Sequence, residues 1–123
     1  MKLHADVPGK QYLITAHGPG WVAINGRRFG HSLLVSPQRL DPDWGPAPGQ
    51  ILAAEHLAAL AELAGHVLLL GTGERQRFPP PPLLRPLVAA GLGLEVMDTA
   101  AACRTYNILV AEGRTVAAAL VVE

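Results

Sequence analysis

The spacing of apolar positions changes partway along the chain. In the first third they come in short runs separated by turn residues. Tyr12-Leu13-Ile14-Thr15-Ala16-His17 is rich in strand formers and is closed by Gly18-Pro19-Gly20. Trp21-Val22-Ala23-Ile24 and Arg27-Arg28-Phe29 flank Asn25-Gly26, a pair suited to a type I′ hairpin because both central residues there need positive φ. Ser32-Leu33-Leu34-Val35 is the next run and ends at Ser36-Pro37. Together these predict an N-terminal antiparallel meander. Residues 37–49 hold Pro37, Pro42, Pro46 and Pro48 with Gly45 and Gly49, so they read as a surface loop with Trp44 in its middle.

From residue 51 the period lengthens. Ala53, Leu57, Leu60, Ala61 and Ala64 fall on one stripe and predict an amphipathic helix over 51–64, stopped by Gly65. Val67-Leu68-Leu69-Leu70 is a continuous apolar run, as expected of a strand covered on both faces. After Gly71-Thr72-Gly73-Glu74 come Phe78 and four prolines, 79–82, of which Pro82 suits the first turn of a short helix ended by Gly91. Residues 92–97 form the next strand, and Asp98-Thr99 opens a helix of about a dozen residues with Asp98 as its N-cap. Residues 115–122 form the last strand. Strands joined by helices imply a largely parallel sheet. The expected fold is α/β: a compact three-layer β/β/α domain with a mixed central sheet beside the meander, spanning residues 1–123 as a single domain.

Composition narrows the function. Half of the 123 residues are apolar and 16% are charged, which excludes a disordered chain. Ten basic residues balance ten acidic ones, so no basic face is available to neutralise nucleic-acid phosphates. Cys103 is the only cysteine, which excludes an internal disulfide and a thiolate zinc cluster. Met1-Lys2-Leu3-His4-Ala5-Asp6 lacks the apolar core of a signal peptide. The apolar stretch 86–94 is far shorter than the ~20 residues of a membrane span. A soluble cytoplasmic protein is expected.

Chemistry is sparse. His4, His17, His31, His56 and His66 show no metal-ligand spacing, and no metal or other cofactor is expected. No nucleophile elbow is present, and Cys103 lies on the apolar stripe of its helix with Ala102, Tyr106, Leu109 and Val110. Gly71-Thr72-Gly73 ends a buried strand but continues into neither GxGxxG nor GK[ST]. If strands 67–70 and 92–97 are parallel neighbours, Thr72, Gly73, Asp98 and Thr99 face one crevice at their carboxyl ends, with Arg104 further along the helix as an anion partner. Trp44 and Phe78, on proline-stiffened loops, are the candidate anchors of an interaction surface, the alternative being that each folds back and pins its loop to the body. Replacing both with serine is then expected to weaken partner binding or self-association with the fold intact.

Leu68-Leu69-Leu70-Gly71-Thr72-Gly73, the run from Gly91 to Thr99, Ala101-Ala102-Cys103-Arg104-Thr105-Tyr106-Asn107-Ile108-Leu109, Glu112-Gly113-Arg114 and Ala118-Ala119-Leu120 resemble a small single-domain family of unknown biochemical function. That family includes bacterial and archaeal stand-alone proteins, a mitochondrial assembly factor for respiratory complex I and an adipogenesis-associated mammalian protein. The resemblance covers residues 67–121 most closely. It implies a three-layer fold with sheet packed on sheet and helices, and it supplies no catalytic residue or cofactor. A non-enzymatic binding or assembly protein acting on a protein partner is the expected function, with respiratory-complex assembly implied by the resemblance only. The alternative is a small-molecule-binding protein or weak enzyme that uses the crevice.

Overall fold

The computed structural model describes residues 11–63 and 65–123. His4 and Ala64 therefore lie outside the described residues, as does the segment 1–6. The described residues form a three-stranded antiparallel sheet and a five-stranded mixed sheet with three α-helices. The first sheet contains β1 (Ile14–Gly18), β2 (Trp21–Ile24) and β3 (Arg27–Phe29) in that spatial order. Its β2–β3 turn has φ of 49° at Asn25 and 86° at Gly26, both positive as a type I′ turn requires.

The chain then leaves this sheet. β4 (Leu33–Ser36) does not extend the meander but pairs with the last strand, Leu33 opposite Leu120. β5 (Arg39–Asp41) folds back on β4, so the proline-rich segment 37–49 is not loop throughout. The physical reason is that the new hairpin is held by pairing with a strand some eighty residues away, which no local pattern announces. Helix α1 covers only Ala54–Ala58 and continues as a 3₁₀ turn, Ala59–Leu63. Residues 51–53 offer no side-chain cap, and the Ala53 N–H is instead taken by His56 Nδ1 at 2.9 Å. The tighter 3₁₀ turn keeps Leu57, Leu60 and Leu63, spaced by three, on one buried face.

β6 (Val67–Gly71) is joined through α2 (Pro81–Ala89) to β7 (Leu94–Met97), and β7 through α3 (Thr99–Ala111) to β8 (Val116–Leu120). The mixed sheet has the order β5-β4-β8-β6-β7, with β6 parallel to both β7 and β8. Its two faces are read directly from residue parity. Leu33, Val35, Leu69, Val116, Ala118 and Leu120 face a core shared with Ile14, Val22, Ile24 and Phe29 of the small sheet and with Ala102, Cys103, Tyr106 and Val110 of α3. Leu34, Leu68, Leu70, Ala117 and Ala119 face a second core with Leu57, Leu60, Leu63, Leu87 and Trp44. The order of layers is thus small sheet with α3, mixed sheet, then α1 and α2. Both faces are covered, and this explains the unbroken apolar runs of β6 and β8.

The small sheet is tied to α3 by side chains that substitute for a strand. Asn107 Oδ1 accepts the Ile14 N–H at 3.1 Å while its Nδ2 donates to Ile14 O at 2.6 Å. The Tyr106 hydroxyl donates to Tyr12 O at 2.7 Å.

Trp44 belongs to the second core at 6% exposure, which corrects the expectation that it stands on the surface. Its ring fills the space beside α1, and its Nε1–H donates to His56 O at 2.9 Å. Burial of so large an apolar body with its one polar atom satisfied is favourable.

Candidate functional site

α2 lies on one face of the mixed sheet and α3 on the other, so the connections leaving β6 and β7 depart to opposite sides. That arrangement creates a switch point at the carboxyl ends of two parallel strands, where open α/β sheets place their ligands. Here the strand ends are stitched together. The Thr99 N–H donates to Gly73 O at 2.8 Å, Gly73 N–H donates to Thr99 Oγ1 at 2.8 Å, and that hydroxyl donates to Val121 O at 2.7 Å. The gap between β6 and the start of α3 is so narrow that a Cβ on Gly71 would lie 2.9 Å from Thr99 Cα.

The open space is displaced outward. A cavity of about 340 Å³ lies between the β1–β2 turn, the loop after β6 and the first turn of α3. Gly73, Asp98 and Thr99 line it, so three of the five expected crevice residues are brought together. Thr72 is not among them. It is buried, its hydroxyl 2.6 Å from Arg75 O and 3.2 Å from Met97 O, and it accepts the Arg77 N–H at 2.9 Å, so it clamps the loop. Arg104 lies in a separate, open hollow with Thr15, His17, Cys103 and Asn107. His17, Trp21, Glu74 and Glu123 also line it and were not legible as site residues. The turn Gly18-Pro19-Gly20 before Trp21 was visible, but nothing local says that this turn docks over α3.

Asp98 acts as the N-cap of α3, its Oδ1 accepting the Ala101 N–H at 2.8 Å. Asp98→Ala is expected to lower stability by ~1 kcal/mol with the fold retained, measured by chemical denaturation. An unchanged midpoint would contradict the capping role.

Cys103 offers no nucleophile. It is 1% exposed, and burial pushes its thiol from 9.0 up to about 12, with Arg104 pulling it down and Asp98 adding to the rise. Between these two values the folded chain keeps a proton that the unfolded chain has lost. Stability from this group is full below pH 9 and falls as the pH rises toward 12, by at most ~1.4 kcal/mol per pH unit. In Cys103→Ala the alkaline fall should be shallower, leaving the part due to Tyr106, whose hydroxyl burial also pushes up. Equal slopes for both chains would contradict the assignment. Among the described residues no group of three or more His, Cys, Asp or Glu side chains is placed to hold a metal ion.

A second feature lies on the other side of the β6 loop. Ile51 and Phe78 are 87% and 72% exposed and line a shallow cleft of about 150 Å³ with Leu52, Pro79, Pro80 and Leu83. Phe78 was legible as an exposed loop aromatic. Ile51 was read as the first residue of a helix that in fact begins three residues later. Among the described residues no helix is long and apolar enough to cross a membrane.

Known proteins share this architecture. The crystal structure of a Bordetella parapertussis protein is 42% identical, with a TM-score of 0.79 over 95% of this chain and 100% of that one. The "13 kDa major membrane protein" of Francisella tularensis is 30% identical over 98% of this chain and 94% of its own length. The Bos taurus NADH dehydrogenase (ubiquinone) 1 alpha subcomplex assembly factor 3 is 31% identical over 97% of this chain. This chain spans 65% of that relative's length. A family model matches residues 14–121, and the chain belongs to that family, described as a protein of unknown function (DUF498/DUF598).

Proposed function

We propose that the chain is a non-enzymatic assembly protein that holds a protein partner on the apolar cleft of Ile51 and Phe78. The observation that carries this reading is the pair itself: two large apolar side chains, almost fully exposed, lining one cleft on proline-bounded segments. Large apolar groups exposed together in one cleft mark a surface that a partner covers. Prolines at 79–82 limit the freedom of the Phe78 segment, so little entropy is lost when a partner seats there. An aromatic beside an aliphatic anchor is also the composition of an interface hot spot. The relatives described as NADH dehydrogenase assembly factors support a subunit of such a complex as the class of partner.

The test is affinity capture from the native host with the wild-type chain and with Ile51→Ser/Phe78→Ser. Both positions are exposed, so the variant should keep its stability within about 0.5 kcal/mol. Subunits of one NADH dehydrogenase should be enriched by the wild type and at least tenfold less by the variant. Equal capture by both chains, or no defined set of subunits with either, would contradict the proposal.

A further inference from the structure

We propose that His56 is a pH-sensitive latch on the Ile51 side of the cleft: the neutral imidazole holds residues 51–53 in place, and its protonation releases them. This concerns the regulation of the partner-binding cleft and rests on that reading of it.

The segment that carries Ile51 has few ties of its own. Among the described residues the Ile51 and Leu52 backbones make no hydrogen bond. Leu52 packs on the second core through its side chain, and Ile51 stands exposed. Upstream, Gln50 closes a turn on Ala47, its N–H donating to Ala47 O at 2.9 Å and its Oε1 accepting the Ala47 N–H at 3.0 Å. Downstream, the first bonded group is the Ala53 N–H, which donates to His56 Nδ1 at 2.9 Å. The His56 N–H donates back to Ala53 O at 3.0 Å. The imidazole thus takes the place that Glu or Gln holds in a capping box.

That bond has a condition. Nδ1 accepts only without a proton, so the ring is neutral and carries its hydrogen on Nε2. The backbone of residue 56 is fixed independently, because Trp44 Nε1–H donates to His56 O at 2.9 Å. The two rings meet edge to face with centroids 6.1 Å apart. A second proton on the imidazole sets N–H against N–H, so the ring turns away while Trp44 keeps the helix in place. Residues 51–53 then keep only the packing of Leu52, and Ile51 loses its fixed position in the cleft.

No neighbouring charge holds the imidazolium where the neutral ring sits. The charged groups on the elements around it are Glu55 of α1, Glu62 of the 3₁₀ turn, Asp43 beside Trp44 and Arg85 of α2. Glu62 is paired with Arg39, and no carboxylate lies within ion-pair distance of the His56 ring among the described residues. The latch is therefore closed with the ring neutral and opens as the pH falls through the range of about 5–8 in which imidazole gains its charge.

Two variants separate the charge from the cap. In His56→Gln the amide oxygen accepts the Ala53 N–H at every pH, and His56→Ala removes the acceptor at every pH. The isotope-labelled full chains should be compared by NMR at about pH 7.5 and about pH 5.5, following protection of the Ala53 amide from solvent exchange and the Ile51 methyl shifts. In the wild type, Ala53 protection should fall about fivefold in acid and the Ile51 signals should move toward those of His56→Ala. His56→Gln should keep both, although His17, His31 and His66 still titrate. The same response to pH in the wild type and His56→Gln, or a neutral wild type that matches His56→Ala, would overturn the inference. Affinity capture at the two pH values adds the functional arm: the wild type should lose its captured subunits in acid and His56→Gln should retain them, and equal loss by both would overturn the regulatory role. Failure of every chain to capture subunits at either pH contradicts the cleft reading and not the latch, which the NMR comparison decides on its own.

Discussion

Replacing Trp44 with serine is expected to destabilise the folded chain by about 3–5 kcal/mol, the range for deleting a buried aromatic body. The ring lies among Leu34, Leu57, Leu60 and Leu87, so its removal leaves a cavity under α1. It also leaves His56 O without the indole N–H that now donates to it. Loss of that bond adds to the cost because it leaves a partly buried acceptor without its donor. Phe78→Ser is the control: Phe78 is 72% exposed, and its loss should change stability by no more than about 0.5 kcal/mol. Urea denaturation of both variants decides the matter. A Trp44→Ser midpoint close to the wild type would show that the ring is not part of the core.

Gly71→Val is expected to cost about 3 kcal/mol, through overlap rather than through a cavity. A Cβ alone would sit 2.9 Å from Thr99 Cα and 3.2 Å from Ala102 Cβ, and the first of these is backbone that cannot swing aside. Valine adds two methyl groups to that contact, so β6 and α3 must move apart. Movement there would also strain the bonds among Gly73, Thr99 and Val121 that close the strand ends. Gly93→Ala serves as the reference because a Cβ there meets nothing within 4 Å. It should lie within about 0.5 kcal/mol of the wild type. Equal stability of the two variants would mean that the switch point is more open than the geometry shows.

Local chemistry carried some features of the fold into the sequence and left others out. Asn25-Gly26 announced its hairpin, and Asp98 announced the start of α3, because each acts on neighbours within three residues. The apolar run of β6 told of two covered faces, since no alternation survives when both sides are buried. β5 was missed because Arg39-Leu40-Asp41 is stabilised by its pairing with β4, not by its own pattern. Trp44 could be read as a surface anchor or as a pin for its loop, and it is the pin; proline and glycine spacing marks a loop without saying whether its aromatic turns inward. The site was half legible for the same reason. Gly73, Asp98 and Thr99 sit at strand ends that the sequence marks, whereas Trp21 and His17 reach the cavity only because the small sheet docks over α3. Thr72 and Arg104 have the right residue type near the right strand end, but they turn to other neighbours.

A chain that works through the exposed Ile51–Phe78 cleft must lose its effect on a protein partner when that cleft is altered. The most direct test is complementation in a native host that makes an NADH dehydrogenase complex and lacks this chain. The assembled complex should be measured on native gels, with wild type and Ile51→Ser/Phe78→Ser expressed at equal levels. Restored assembly with the wild type and little or none with the folded variant is the result expected. Full restoration by the variant, or assembly indifferent to the chain altogether, would contradict the claim.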